Sequence, residues 1–242
     1  APTDDFERLR PGKLLENGIY EASREKVPMQ SISLKERIRE NLPKEMEITG
    51  DKGITFAMVK DKKATLEEFV AQFGKEELAR IVRGEGMCNP MVTPGTASAF
   101  GGTAPSLYRY GIPAACTADG PSGIRMDSGL QATQMPIGTM LAASWNREML
   151  EDLYEWEGKE LSRNQIDTLL GPGMNIHRSP LNGRNFEYFS EDPYLTGICA
   201  IAAVRGIGKT GAAATIKHFA CNNQEKGRTI ADSVVSQRAV RE

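Results

Sequence analysis

From about residue 110 onward, short apolar runs alternate with stretches of helical periodicity, and this alternation constrains the fold more than any other feature of the sequence. The runs that predict strands are residues 112–116, a weaker one at 140–143, 166–170 and 212–216. Asn146 can cap a helix between the second and third runs, and Asp192-Pro193 opens another helix that extends to about Gly206. Strands that alternate with helices predict a parallel sheet covered by helices, either doubly wound or closed into a β/α barrel.

Polar segments punctuated by glycine follow three of these strands directly, and their position favours one of the two folds. They are residues 119–125 (DGPSGIR), residues 171–177 (GPGMNIH) and the pair Lys217-His218. A β/α barrel presents its reactive groups after the carboxyl ends of several different strands, on one face of the barrel. The sequence therefore favours an α/β fold of the barrel type.

The N-terminal quarter of the chain reads differently from the rest. Residues 1–64 are rich in Lys, Glu and Arg and hold one convincing helical stretch near 33–41, where Ser33 and Glu36 match a capping box. This segment has too few apolar residues to form a core of its own, so we predict an extended connector over 1–64 and a separate domain over 65–242.

The start of the second domain combines short helices with a long glycine-rich segment. Thr65 and Glu68 match a second capping box, and a further short helix is predicted over residues 75–82. Residues 84–105 are rich in Gly, Pro, Ser and Thr and predict a loop. A loop of this length is either a simple linker or a segment close to a functional site.

Charge and hydropathy exclude several classes of partner. The chain carries 30 Lys and Arg against 32 Asp and Glu, and no basic stretch offers the footprint of a nucleic-acid binder. No apolar run reaches the ~18 residues of a membrane span. We therefore expect neither a nucleic-acid nor a membrane partner.

The cysteines are scattered without metal-ligand spacing, and no His cluster accompanies them. They are Cys88, Cys116, Cys199 and Cys221. We predict buried free thiols, no metal site and a reducing, cytoplasmic compartment.

Five side chains in or beside the polar segments are candidates for ligand binding: Asp119, Arg125, Arg184, Lys217 and His218. Asp119 is either a turn aspartate that bonds its own backbone or a carboxylate held at a strand end to accept hydrogen bonds from the hydroxyls of a ligand. Arg125 either pairs with Asp127 or Asp119, or forms one wall of a polar pocket. Arg184 follows a glycine and could reach into a cavity, where a guanidinium offers a fork of donors.

The remaining polar residues have more modest interpretations. Neighbours on a strand point to opposite sides, so either Lys217 or His218 can face a cavity while the other supports it. His218 is disfavoured as the base of a nucleophile, because no Ser or Cys lies in a GxSxG elbow. For Glu187 and Arg178 we favour a buried salt-bridge network at the barrel rim. Residues 206–211 (GIGKTG) predict a turn and not a phosphate loop, because they follow a helix and precede a strand.

Four segments in this order resemble the barrel signatures of the family 3 glycoside hydrolases. They are residues 118–125 (ADGPSGIR), 171–178 (GPGMNIHR), 183–193 (GRNFEYFSEDP) and 217–225 (KHFACNNQE), and the resembling region spans about residues 80–242. The resemblance implies that residues 65–242 are the first part of the family's catalytic domain, an incomplete TIM-like β/α barrel behind an extended N-terminal connector. It also implies that the five candidate residues line the pocket for the terminal, non-reducing sugar.

The resemblance implies a retaining β-glucosidase that releases terminal β-D-glucose from β-glucosides or short β-linked glucans, without a cofactor. In the family, an aspartate on a later barrel strand attacks the anomeric carbon and an acid/base, usually a glutamate from another domain, protonates the leaving oxygen; such groups lie about 5–5.5 Å apart. The motif of that nucleophile is absent from this sequence, and residues 238–242 predict a helix upstream of it. We therefore expect both reacting carboxylates in the remainder of the enzyme, carried by the same or a second polypeptide.

Two features narrow the resemblance within the family. A segment like residues 34–86 ahead of the barrel resembles the domain-inverted members, in which an α/β sandwich domain precedes the barrel. Lys217-His218-Phe219 continues with Ala-Cys, which departs from the Lys-His-Phe-Pro-Gly-His-Gly motif of the N-acetylglucosaminidase branch. The alternatives that stay open are a noncatalytic sugar-binding or assembly subunit, a β-xylosidase and a β-glucan exohydrolase; a homo-oligomer is also compatible with the sequence.

Overall fold

The computed structural model describes residues 7–26, 33–231, 233–235 and 239–240. The described parts of residues 1–46 and 235–241 group as one compact unit, and those of residues 47–234 group as a second. The domain boundary that the sequence predicts at residue 64 stays a prediction.

The first unit contains a hairpin that the sequence analysis did not anticipate. Strand β1 (Glu7–Leu14) pairs antiparallel with strand β2 (Tyr20–Lys26). The turn between them is held by the side chain of Asn17, which accepts a hydrogen bond of 3.0 Å from the N–H of Ile19. Both strands carry charged residues along their length, and β1 contains Pro11. Neither strand therefore shows the apolar alternation from which strands are predicted.

The first helix of this unit agrees with its prediction. Helix α1 (Leu34–Glu40) begins after Ser33, whose hydroxyl accepts a hydrogen bond of 3.3 Å from the N–H of Glu36. Of the helix predicted over 238–242, residues 239 and 240 are helical, and the other three lie outside the described residues.

The second unit opens with four short helices around a small aromatic cluster. The helices are α2 (Phe56–Lys60), α3 (Leu66–Ala71), α4 (Lys75–Arg83) and α5 (Pro105–Tyr108). Phe73 and Tyr110 meet edge to face with ring centroids 4.6 Å apart, and Phe69 packs against both rings. The capping box predicted at Thr65 is present in full, so the start of α3 is confirmed.

A four-stranded sheet and three helices form the main body of the second unit. The strands are β3 (Ser98–Gly101), β4 (Ala114–Asp119), β5 (Thr168–Leu170) and β6 (Ala213–Ala214). They lie side by side in chain order; β3 is antiparallel to β4, and the other pairs are parallel. The helices between the parallel strands are α6 (Gly138–Ala143), α7 (Arg147–Arg163) and α8 (Pro193–Gly208). Parallel strands separated by helices confirm the predicted α/β class.

Both long helices begin where their caps predict. The side chain of Asn146 accepts from the N–H of Met149 at 3.0 Å, and that of Asp192 accepts from the N–H of Leu195 at 2.7 Å. Pro193 occupies the first turn of α8, where its missing N–H has no cost. The segment 206–211 is the end of α8 and the turn after it, as expected.

Two predicted elements were wrong. Residues 84–105 are not entirely loop, because strand β3 lies within them. Glycines in this segment allow close backbone packing: a Cβ on Gly102 would overlap the carbonyl oxygen of Ile112. Residues 140–143 form part of helix α6 and not a strand. A four-residue apolar run is too short for its period to be read, and here Leu141 and Ala142 are buried while Met140 is exposed.

The main hydrophobic core lies where the helices cover the sheet. Ala118 and Leu169 from the strands pack against apolar side chains of all three helices. Helices α7 and α8 approach closely, because a Cβ on Gly206 would overlap the carbonyl oxygen of Glu151 and lie 2.8 Å from the amide nitrogen of Glu155.

Gly206→Ala is therefore expected to lower the free energy of unfolding by about 1–3 kcal/mol, because the added methyl must push two backbones apart. Gly197→Ala on the same helix is the matched control: its Cβ would meet no atom of the described residues within 4 Å, so only the gain in helix propensity, up to ~1 kcal/mol, remains. Urea denaturation of both variants measures the difference. Equal stabilisation by the two alanines would contradict close packing at Gly206.

All four cysteines are free thiols. Cys116 and Cys199 are buried as predicted and Cys221 is partly buried, but Cys88 is exposed, which corrects the expectation for that residue. None of the helices in the described part of the chain combines the length and the hydropathy needed to cross a bilayer.

Candidate functional site

The ends of three parallel strands bring Asp119 and Lys217 together. Asp119 is the last residue of β4, and Lys217 follows β6. Beyond the last ladder residues, Lys217 donates its N–H to the carbonyl of Pro172 and its own carbonyl accepts from Met174, so the parallel pairing continues past β5. The ammonium of Lys217 donates to Oδ1 of Asp119 at 2.6 Å, across the carboxyl end of β5.

The buried carboxylate of Glu187 contacts the same lysine and extends the ion pair into a network. Its carboxylate is 5% exposed; Oε2 lies 3.6 Å from the ammonium of Lys217, and Oε1 accepts a direct bond from Nε of Arg184. Arg184 also lies 4.0 Å from Oε1 of Glu225. Burial alone would lower the pKa of Arg184, but its bond to Glu187 raises it. The result is a row of alternating charges from Asp119 to Glu225.

The backbone that presents Glu187 is a short 3₁₀ helix, Asn185–Glu187. Two glycines let neighbouring segments approach it. A Cβ on Gly138 would lie 2.9 Å from the carbonyl oxygen of Glu187, and one on Gly173 would overlap the same oxygen. The position of the buried carboxylate therefore depends on residues at the start of α6 and after β5.

His218 belongs to a second, neutral part of the same site. Its Nδ1 lies 2.8 Å from the hydroxyl of Tyr188, and the side-chain amide of Asn222 donates to that hydroxyl at 3.0 Å and to Oε1 of Glu225 at 2.8 Å. Burial lowers the pKa of His218, and the positive charge of Arg184 lowers it further. A neutral imidazole with Nδ1 unprotonated can accept the proton of the Tyr188 hydroxyl.

Acidification is expected to weaken this contact. Because the pKa of His218 in the folded chain lies below the ordinary 6.5, the unfolded chain binds more protons in the window between the two values, and stability is lost as pH falls through it. His218→Asn keeps an acceptor oxygen but does not titrate. The free energy of unfolding should therefore fall more steeply from about pH 7 to about pH 5 in the wild-type chain than in the variant. Parallel slopes would show that His218 does not carry the effect.

Four of the five predicted side chains enter this network, and the fifth does not. Asp119, Arg184 and Lys217 are joined by ion pairs, and His218 connects to them through Tyr188 and Asn222. The guanidinium of Arg125 is 65% exposed and pairs with Asp127 at 3.0 Å. Only its main-chain N–H reaches the site, by donating to the carbonyl of Asp119 at 2.8 Å. Of the readings left open for Arg125, the structure shows the pairing with Asp127.

Sequence reasoning missed part of the network. The buried salt-bridge network predicted for Glu187 is present, since its carboxylate pairs with Arg184 and Lys217, but Asn222 and Glu225 were not singled out. The available signal for these two was their place in the segment 217–225, one of the four segments that carry the family resemblance. The buried network predicted for Arg178 was wrong, because this residue is exposed; it lies on a neighbouring cavity of about 500 Å³, formed by residues of the segments 178–183 and 223–226, which include Glu225.

Comparison with known families gives one match that covers most of the chain. Residues 48–241 match the family described as glycosyl hydrolase family 3 N terminal domain. Among curated proteins, a β-glucosidase of Ruminococcus albus is 53% identical over the full chain, which spans 25% of that protein. β-Glucosidase A of Butyrivibrio fibrisolvens is 44% identical over 77% of the chain, corresponding to 22% of its own length. The chain thus spans about a quarter of the curated relatives it matches.

Solved structures give the same result. A β-glucosidase from Paenibacillus barengoltzii superposes with a TM-score of 0.88 at 65% identity, covering all of this chain and 26% of that one. β-Glucosidase 3B from Thermotoga neapolitana, in complex with glucose, superposes with a TM-score of 0.58 at 40% identity over 65% of this chain and 23% of its own. The high similarity to the first structure confirms the predicted fold class of a partial TIM-like barrel.

Proposed function

This chain belongs to glycosyl hydrolase family 3, and from that premise we propose that it supplies the glycone-binding part of the active site of a retaining β-glucosidase. The observation that carries the proposal is the ion pair of Asp119 and Lys217 at the carboxyl ends of barrel strands, the face where β/α barrels hold their sites. Asp119 is 38% exposed, so its carboxylate is accessible to hydroxyl donors.

The two side chains offer complementary hydrogen-bonding groups to a sugar. A carboxylate accepts from neighbouring hydroxyls, and such charge-assisted bonds are the strong ones. The ammonium of Lys217 has more N–H donors than its carboxylate partners occupy, so it can also donate to a sugar hydroxyl. We extend the binding role to Arg184 and His218, which belong to the same network, and to Arg125, whose side chain would have to leave Asp127 to take part.

The buried network beneath the pair supports this role. Glu187 pairs with Lys217 and is itself held by Arg184, and a binding group whose position is fixed before the ligand arrives loses less entropy on binding. The proposed substrate is a β-glucoside or short β-linked glucan that enters with its terminal, non-reducing glucose.

We place both reacting carboxylates outside these 242 residues. A retaining mechanism needs a nucleophile and an acid/base about 5–5.5 Å apart across the anomeric carbon, and the carboxylates of Asp119 and Glu187 are both engaged by Lys217. The proposal also keeps the connector at 1–64 and the barrel part at 65–242. For location, the four free thiols support a cytoplasmic protein.

The test compares the full-length polypeptide that contains this chain with the chain alone. The full-length enzyme is expected to hydrolyse an aryl β-glucoside faster than the matching β-xyloside, and the 242-residue chain is expected to show no turnover. Turnover by the isolated chain would place a reacting carboxylate within it. A faster reaction with the β-xyloside would indicate a β-xylosidase instead. Glucose binding without hydrolysis by the full-length protein would indicate a noncatalytic sugar-binding subunit.

A further inference from the structure

Helix α7 attaches the loop that follows β4 at two points. Tyr154 and Glu160 lie six residues apart on the helix, so their side chains point in directions about 120° apart around its axis. The hydroxyl of Tyr154 donates to the carbonyl of Pro121 at 3.5 Å. The carboxylate of Glu160 accepts from the main-chain N–H and the hydroxyl of Thr133, at 3.0 and 3.1 Å. We call residues 120–135 the β4 loop; it begins directly after Asp119.

Glu157 lies between Tyr154 and Glu160 in the sequence, and the environment of its side chain is unusual for a carboxyl group. The residue is 3% exposed, and neither oxygen of its carboxyl group has a hydrogen-bond partner among the described residues. The amide of Gly123 in the β4 loop faces the carboxyl, but this amide donates its hydrogen bond to the carbonyl of Gly120. The hydroxyl of Ser122, the neighbouring loop residue, is also buried and finds no partner in the part of the chain that the structure describes.

The surroundings of Glu157 in the described part of the chain disfavour a negative charge, because the Gly123 amide, which lowers the pKa of the carboxyl, is outweighed by burial and by a like charge. On α7 the titratable groups that interact with it are the carboxylate of Glu160, a like charge, and the phenol of Tyr154. From α8, Cys199 interacts with Tyr154, and the β4 loop contributes the Gly123 amide. Burial, reinforced by Glu160, raises the pKa of Glu157 to about 8. A buried carboxyl in such a place keeps its proton.

We propose that Glu157 is a positioning residue whose protonated carboxyl lets the β4 loop seat on α7, and whose ionisation releases the loop. The loop is coupled to the site because the N–H of Arg125 donates to the carbonyl of Asp119 at 2.8 Å. The consequence for sugar binding rests on the proposed function, whereas the seating of the loop does not.

The pH range follows from the two states of the carboxyl. In an open loop Glu157 is in water with an ordinary pKa near 4.5, and in the seated loop its pKa is about 8. Between these values the open state binds fewer protons, so each pH unit favours opening by about tenfold until the seated carboxyl itself ionises. The loop is therefore seated most firmly at acid pH.

Hydrogen exchange of the β4 loop tests this in the 242-residue chain. Glu157→Gln keeps the shape of the side chain but removes the titrating group. Hydroxide speeds amide exchange in both proteins as pH rises. Dividing the wild-type exchange rate by the variant rate at the same pH therefore cancels this effect. This ratio is expected to rise about tenfold per unit between about pH 5.5 and about pH 7.5. Asp152→Asn is the control, because Asp152 is an exposed carboxylate on the same helix; its ratio should stay within about twofold.

A ratio that does not change with pH would overturn the proposal, as would a Gln variant that exchanges faster than the wild type at every pH. If Glu157→Gln does not fold, Glu157→Met supplies an uncharged side chain of similar volume and the same ratio. Sugar hydrolysis does not enter the measurement, so its outcome is independent of whether the enzyme is a β-glucosidase.

Discussion

Asp119→Asn in the full-length enzyme is expected to lower kcat/KM for an aryl β-glucoside by ~30- to several thousandfold, that is, by about 2–5 kcal/mol of transition-state stabilisation. The amide keeps the size of the side chain but removes the charge that strengthens each bond to a sugar hydroxyl. It also leaves the ammonium of Lys217 without its partner at 2.6 Å. Because Lys217 retains Glu187 at 3.6 Å, we expect the variant to fold.

The matched control for this substitution is Asp127→Asn. Asp127 is a carboxylate of the β4 loop, which follows Asp119, and it pairs with the exposed side chain of Arg125. Loss of this pair should change kcat/KM by less than about fivefold, since an exposed pair contributes about 0–1 kcal/mol. Near-wild-type kinetics for Asp119→Asn would remove Asp119 from the sugar site. A large loss in Asp127→Asn would instead show that Arg125 works in the site.

Lys217→Met is expected to lower the free energy of unfolding by about 3–5 kcal/mol, because it leaves two carboxylates without their shared cation. The ammonium is 14% exposed and contacts Asp119 and Glu187; Glu187 is the more deeply buried of the two, at 5%. Urea denaturation of the 242-residue chain measures the loss directly. In the variant, Glu187 keeps its ion pair with Arg184. If this pair stabilises the buried carboxylate, the loss of unfolding free energy is expected at the lower end of the range.

Lys209→Met provides the comparison for this measurement. Lys209 also bridges two carboxylates, those of Glu151 and Glu155, at 2.8 and 3.3 Å, but its side chain is 45% exposed. Water screens such pairs, and a loss within about 1 kcal/mol is expected. Similar losses in the two variants would show that burial of the Lys217 network contributes nothing to stability.

The elements that the sequence predicts well are those with a local physical signal. Helices α7 and α8 begin at side chains that cap their first turns, Asn146 and Asp192, and each helix is long enough to show its period. Helix α6 has no side-chain cap and only six residues, so a short apolar run was mistaken for a strand. Strand β3 was missed because Gly101 at its end and Gly102 after it serve contact with residues 112–113, and a partner distant in sequence leaves no local signal.

The residues of the site follow the same rule: those with a signal in the local sequence could be predicted, and the others could not. Asp119 and Lys217 could be predicted because both follow strands, and the edge of a parallel sheet brings such residues together. Arg125 was grouped with them by its nearness in sequence, but a closer partner, Asp127, holds its side chain. The part played by Glu225 could not be predicted, because its link to Arg184 depends on how two loops fold against each other.

The ion pair of Asp119 and Lys217 joins residues 98 positions apart, and this separation affects when the site can form. Closing a long segment of chain has an entropic cost that local contacts do not share, and contacts of long range form slowly for that reason. Strand β4, helices α6 to α8 and strands β5 and β6 must all be in place before the two side chains meet. We therefore expect the ion pair of Asp119 and Lys217 to be among the last contacts to form during folding, so that its presence would indicate that this part of the barrel has folded.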